Sequence, residues 1–249
     1  MVNEKIKACI VTDAHQEKYA KKINKKIKSF APQLDQCLQY YVCTDKPELI
    51  DSNIDYLKVF NLTHLQERDP KTKDYENISK TVKYRKYPWN LRRHIINKAL
   101  EDDFDYVIWN DCDVSLLVDR SVLFNSLKKC EYNNVYTQST IWNFKNNRER
   151  KAFYNCDKVI KDLSINIPKN QLITHDGPTA VYRLDKNHKK SFIESWDLLT
   201  LYGYESKYWN EPNWFIPNLV YVFAMSGVGL LPLNRKLFRV DHDYENRYE

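Results

Sequence analysis

A short stretch near the middle of the chain, DYVIWNDCD, constrains the fold more than any other part of the sequence. Its run from Tyr106 to Trp109 is apolar without alternation, which is typical of a strand buried on both faces in the middle of a parallel sheet. The run leads directly into Asp111 and Asp113, which a single cysteine separates. The sequence therefore predicts a central strand whose carboxyl end carries two carboxylates.

Strands and helices alternate on both sides of this stretch. Apolar, β-branched runs predict strands at 5–12, 38–45 and 55–62, and amphipathic patterns predict helices after the first strand and at 86–103. In the second half, the same reasoning predicts strands at 133–139, 177–184 and 227–233 and helices at 189–203 and 213–225. This alternation indicates an α/β fold with a mainly parallel central sheet flanked by helices. Because no repeat or linker interrupts the pattern, we expect one domain.

Composition narrows the functional classes. The chain has only 4 glycines, and it contains neither a Gly-rich dinucleotide fingerprint nor a P-loop, so any nucleotide must be held by other means. No apolar run reaches the roughly 18–20 residues that cross a bilayer, and the first residues do not resemble a signal peptide. We therefore expect a cytoplasmic protein whose six scattered cysteines are reduced thiols. Much of the net charge of +6 lies on lysines at 18–28, which the pattern places on the solvated face of a helix. A basic surface of this kind still leaves phosphate-bearing or nucleic-acid partners open.

The two carboxylates suggest a metal site. Strand alternation directs Asp111 and Asp113 to the same side, where they repel each other unless a cation lies between them. A hard divalent ion such as Mn²⁺ or Mg²⁺ takes oxygen ligands and commonly keeps positions open for substrate phosphates. Ligands of open parallel sheets bind at the carboxyl ends of the strands, where this pair lies. The alternative is that Asp111 caps a turn and Asp113 is simply solvated.

The layout resembles the nucleotide-sugar-dependent glycosyltransferases of the GT-A fold, in which an Asp-x-Asp motif ends a central strand and binds a metal and the donor diphosphate. Three stretches, YYVCTDKPE at 40–48, THDGPTAVYRL at 174–184 and YWNEPNW at 208–214, are similar to segments of the family 6 members, the galactosyl and blood-group type transferases. The resemblance implies a Rossmann-like GT-A domain over 1–249. Its nucleotide-binding half would be 1–120, and its acceptor-side half and C-terminal tail would be 121–249.

The resemblance also implies residues for the donor and the metal. Thr12 and Asp13 would contact the nucleotide, Asn110 and Asp111 would contact the nucleotide sugar, and His242 would join Asp111 and Asp113 at the metal. Two arginines, Arg85 and Arg93, carry the planar charge that suits a diphosphate. Simpler roles remain open: a helix cap at residues 12–13, surface salt bridges for the arginines, and a solvated histidine near the C-terminus.

On the acceptor side, the resemblance implies Glu211 and Asp176 as candidates. Glu211 would take the proton of an acceptor hydroxyl, and Asp176 would bind the acceptor or the donor sugar. A first-turn carboxylate that answers a helix dipole, and a turn at Asp176-Gly177-Pro178, are the competing explanations.

We thus expect a glycosyltransferase that moves a hexose or pentose from a nucleotide sugar, a UDP-sugar above all, to a hydroxyl acceptor. The acceptor is open between a glycan and other hydroxyl compounds, and a hydroxylated DNA base would suit a virus-encoded enzyme in the host cytoplasm. Two rivals stand beside this hypothesis: a nucleotidyltransferase, and a glycosyltransferase-like protein that has lost catalysis and binds carbohydrate or nucleic acid.

Overall fold

The computed structural model describes residues 6–61, 92–112, 114–116, 119–137, 156–166, 179–206, 215–233 and 240–242. The strands in this part of the chain are β1 Ala8–Asp13, β2 Leu38–Thr44, β3 Leu57–Asn61, β4 Tyr106–Asn110, β5 Val114–Leu116, β6 Asn134–Thr137, β7 Thr179–Arg183, β8 Gly229–Pro232 and β9 Val240–His242. The α-helices are α1 Gln16–Phe30, α2 Arg92–Glu101, α3 Arg120–Leu127, α4 Cys156–Asp162, α5 Lys186–Glu205 and α6 Phe215–Ser226.

Seven of these strands form one sheet in the order β3-β2-β1-β4-β7-β6-β8, and β5 pairs with β9 in a separate two-stranded sheet. Strands β1 to β4 run parallel to one another. Strand β7 is antiparallel to both of its neighbours, β4 and β6, and β8 is parallel to β6. The predicted α/β class with a mainly parallel central sheet is therefore confirmed. Strands from both halves of the chain join this one sheet.

Helices cover both faces of the sheet because its central strands are apolar on both sides. Alternate residues of β4 divide between two cores, so that Val107 and Trp109 face one core and Tyr106 and Ile108 face the other. Helices α2, α4, α5 and α6 bury their apolar residues in the first core, and α1 and α3 bury theirs in the second. All five residues of β4 are buried, as the apolar run predicts.

The predicted elements match the observed ones closely. Every strand and helix predicted from the sequence has a counterpart within the described residues, although the start of the helix predicted at 86–103 lies outside them. Across the described residues no helix has the length and apolar character needed to cross a membrane. Four cysteines, Cys9, Cys37, Cys43 and Cys130, are free and buried, as expected for structural thiols.

Candidate active site at the carboxyl edge of the sheet

The carboxyl ends of β1 and β4 lie side by side at one edge of the sheet. The two strands are parallel and in register, with Val11 opposite Trp109. Two residues further along each strand are Asp13 and Asp111, so the register brings two carboxylates to the same edge. Their side chains are 17% and 22% exposed, which leaves both accessible from this edge.

Asp111 is held by groups from the strand and from helix α2. The indole Nε1–H of Trp109 donates a hydrogen bond of 3.0 Å to Asp111 Oδ1. The guanidinium of Arg92 lies 4.0 Å from the same oxygen and 4.7 Å above the centre of the Trp109 ring. Arg92 is buried, although arginine side chains mostly lie at the protein surface. Its position on α2, which packs on the sheet, explains the difference.

Asn110, the last residue of β4, is buried and bonded across the sheet. Its side-chain oxygen accepts a hydrogen bond of 3.0 Å from the hydroxyl of Thr179, the residue directly opposite it on β7. Both residues are at most 3% exposed. This bond anchors the end of the central strand immediately before Asp111. The predicted contact of Asn110 with the nucleotide sugar stays a prediction.

The residue between the two predicted metal ligands is also held from outside the sheet. The ammonium group of Lys26, on α1, donates a hydrogen bond of 2.9 Å to the backbone carbonyl of Cys112. The sequence suggested that the lysines of this helix form a solvated face, and Lys18, Lys21 and Lys25 are indeed exposed. Lys26 differs in being only partly exposed, and its ammonium group reaches the chain that follows β4.

The C-terminal strand returns to the motif. Strand β9 pairs with β5 in an antiparallel register that places His242 opposite Val114, the residue that follows Asp113 in the sequence. The backbone of the predicted late histidine therefore lies beside the Asp-x-Asp motif, although the two residues are far apart in the sequence. The side chain of His242 lies outside the described part of the structure, and its role as a metal ligand stays a prediction.

At the end of β1, Thr12 and Asp13 differ in accessibility. Thr12 is completely buried, whereas Asp13 is partly exposed and its Oδ2 lies 3.6 Å from Nε2 of the buried His15. Asp13 does not cap helix α1, because the N-cap position belongs to His15 and the N–H of Gln16 donates to Asp45 Oδ1 at 2.9 Å. This geometry removes the helix cap as an explanation for Asp13.

Cys43, near the end of β2, lies close to Asp13 and Asp45 but is not a nucleophile. Burial raises the pKa of its thiol well above the ordinary value, and the charges of Asp13 and Asp45 raise it further. A thiol reacts as the thiolate, so this group stays protonated and inert. Cys43 is therefore a structural residue at this edge of the sheet.

Arg93 pairs with a residue of another helix. It is 2% exposed and its guanidinium contacts the carboxylate of Asp197 on α5. Its predicted role at a diphosphate stays a prediction, and the contact favours a role in joining α2 to α5. Four predicted site residues, Arg85, Asp113, Asp176 and Glu211, lie outside the described residues.

The residue types at this edge can be compared with the ligands that a divalent metal ion takes. Within the described residues no group of three or more His, Cys, Asp or Glu side chains is close enough to hold an ion. Of the three predicted ligands, the described part includes the carboxylate of Asp111 and the backbone of His242, while Asp113 and the His242 side chain lie outside it. Carboxylate oxygens with one imidazole are ligands that Mn²⁺ accepts, so these residue types fit such an ion.

No family model matches the chain, and no curated protein matches it. Among solved structures, it is similar to the apo structure of the bifunctional glycosyltransferase WbbM, with 14% identity and a TM-score of 0.46 over 95% of this chain and 40% of that one. It is also similar to the galactosyltransferase LgtC in complex with donor and acceptor sugar analogues, with 12% identity and a TM-score of 0.44 over 92% of this chain and 74% of that one. The chain thus spans less than half the length of WbbM. Similarity this distant does not carry an activity or a substrate over to this chain.

Proposed function

We propose that this protein is a metal-dependent glycosyltransferase of the GT-A type. It would move a sugar from a nucleotide sugar, with a UDP-sugar as the expected donor, to a hydroxyl acceptor. The observation that carries the proposal is the carboxyl edge of β1 and β4, where Asp111 is anchored beside Asp13 and strand β9 returns to the motif.

The arrangement supports donor binding for a physical reason. The edge is open to solvent at Asp13 and Asp111 but rests on buried residues, so a donor placed there would meet prepositioned groups. Asp111, Asp113 and His242 would hold Mn²⁺ or Mg²⁺. The ion would neutralise charge on the departing nucleoside diphosphate. Asp13 would accept hydrogen bonds from the nucleotide, as a carboxylate does from sugar hydroxyls.

The acceptor side rests on the sequence. Glu211 and Asp176 would orient the acceptor hydroxyl, and one of them would take its proton as the bond to the sugar forms. Either a glycan or a hydroxylated DNA base presents such a hydroxyl. The basic surface of α1, where four of the helix's lysines are exposed, is compatible with a polyanionic acceptor.

The test measures nucleotide release from a panel of UDP- and GDP-sugars with Mn²⁺, first as hydrolysis and then with candidate acceptors. We expect release from one donor that disappears with chelator and in Asp111→Asn. Asp119→Asn is the matched control, because Asp119 is exposed and makes no side-chain capping bond at α3. Its activity should equal that of the wild type.

Two results would overturn the proposal. The first is the absence of nucleotide release and of sugar transfer for every donor, with a protein that is folded. The second is pyrophosphate release from a nucleoside triphosphate, which would identify a nucleotidyltransferase instead.

A further inference from the structure

We propose that Trp109 and Arg92 position the Asp111 carboxylate for the divalent cation. The inference rests on the proposed function, because it concerns the same metal site. It adds two residues that bind neither the metal nor the substrate directly, and it explains why a tryptophan stands at this point of the central strand.

Both contacts fall on one oxygen of Asp111. The Trp109 Nε1–H donates to Oδ1 at 3.0 Å, which is a normal hydrogen-bond length. The Arg92 guanidinium is 4.0 Å from that same oxygen. A charged group at this distance attracts the carboxylate without forming the short bidentate pair that arginine often makes. Both groups therefore constrain the orientation of the Asp111 carboxylate.

The two positioning groups hold each other. The Arg92 guanidinium lies 4.7 Å above the centre of the Trp109 ring, a stacking distance at which the cation and the ring attract. The Arg92 side chain is 5% exposed and Trp109 is completely buried, so water does not screen this attraction. A ring fixed between the sheet and helix α2 can direct its N–H in only one direction. That direction is toward Asp111.

A fixed carboxylate binds a metal more tightly than a mobile one. A ligand that must stop rotating when the ion arrives loses entropy at that step, whereas a ligand already held by hydrogen bonds does not. Residues that hydrogen-bond metal ligands typically change metal affinity by about 10–100-fold when they are replaced. We therefore expect a weaker metal site, and not a collapsed fold, when the indole N–H is removed.

The test uses Trp109→Phe, which keeps an aromatic ring in the core but removes the hydrogen-bond donor. Trp196→Phe is the matched control, because Trp196 is buried in the same core but lies on α5 and not on the strand that leads into the motif. Binding of Mn²⁺ alone is measured by calorimetry or by electron paramagnetic resonance. We expect Mn²⁺ affinity to fall about ten-fold in Trp109→Phe and to stay at the wild-type value in Trp196→Phe.

The dependence of activity on Mn²⁺ separates positioning from packing. In Trp109→Phe, excess Mn²⁺ should restore kcat toward the wild-type value while the Mn²⁺ concentration for half-maximal activity remains raised. A merely damaged core would lower kcat at every metal concentration. If Trp109→Phe does not fold, Arg92→Lys decides by the same titration, because lysine keeps the charge but loses the planar stack.

Wild-type Mn²⁺ affinity in the folded Trp109→Phe protein would overturn the inference, provided that Asp111→Asn abolishes binding. The proposed metal site would survive that result. Conversely, Mn²⁺ binding that is unchanged in Asp111→Asn would overturn the metal site itself, and the inference with it. The two failures are therefore distinguishable.

Discussion

The pair formed by Arg93 and Asp197 offers a quantitative test of how α2 is attached to α5. Arg93 is 2% exposed, and its partner carboxylate is 31% exposed. Asp197→Ala would remove an anionic partner of a buried guanidinium, and breaking a buried ion pair in this way typically costs about 3–5 kcal/mol. Because water already reaches Asp197, we discount that range and expect a loss of about 2–3 kcal/mol.

The assay is urea and thermal unfolding of the folded protein. For a chain of this size, about 1 kcal/mol corresponds to a change in Tm of roughly 2–4 °C, so Asp197→Ala should melt about 4–12 °C below the wild type. Glu194→Ala is the matched control, because its ion pair with Lys190 on the same helix is exposed and contributes little. The reasoning is refuted by two results together: Asp197→Ala has the Tm of the wild type, and Arg93→Met has a raised KM for the donor. That outcome would make Arg93 a diphosphate ligand and not a structural residue.

Three further variants test other contacts of the site and its scaffold. Lys26→Met removes the hydrogen bond to the backbone carbonyl of Cys112 and should lower nucleotide release several-fold at limiting Mn²⁺. Lys25 is exposed, and Lys25→Met should leave nucleotide release unchanged. Thr179→Val leaves a buried oxygen at the end of β4 without this donor and should cost about 1–3 kcal/mol in urea unfolding, whereas Thr179→Ser should not. Hydrogen bonds from the α5 N-terminus, the backbone N–H of His188 above all, lower the pKa of Asp185. The ionised Asp185 therefore stabilises the fold fully above the pKa that it has in the unfolded chain, and this stabilisation is lost as the pH falls through its lower pKa in the folded protein. The Tm deficit of Asp185→Ala should therefore be largest near neutral pH and shrink in acid, and a deficit independent of pH would contradict this reasoning.

Local patterning was sufficient for most of the scaffold. The apolar run at β4 predicted a strand buried on both faces, and the two cores divide along its alternate residues. Strand β5 and helices α3 and α4 were not predicted. They have three, eight and seven residues, too few for periodicity to separate them from loops. The antiparallel direction of β7 was also not readable, because direction depends on long-range pairing and not on local composition.

The site was only partly readable from sequence. The position of Asp111 directly after a buried strand could be predicted from the apolar run before it, and the register with β1 brings Asp13 to the same edge. The partners of Asp111 could not be predicted, since Arg92 lies on a helix whose arginines all look alike in sequence. The contact of Lys26 with Cys112 could not be predicted either, because the sequence does not distinguish Lys26 from the neighbouring lysines. Which charged residue turns inward is decided by packing between elements that are distant in the chain.

The pairing of β5 with β9 favours a functional role for His242, near the C-terminus. Each strand has only three residues, and the two form a sheet apart from the main one. Two such short strands contribute little stability, because isolated two-stranded pairings are marginal in water. Their register nevertheless places His242 opposite Val114, one residue beyond the motif.

A ligand that binds both the motif and the C-terminal strand would stabilise this pairing by mass action. Ordering of residues 240–242 should accordingly increase when Mn²⁺ and UDP are added together, and hydrogen exchange of their amides measures it. Exchange that is unaffected by Mn²⁺ and UDP in a protein that binds both would separate His242 from the metal.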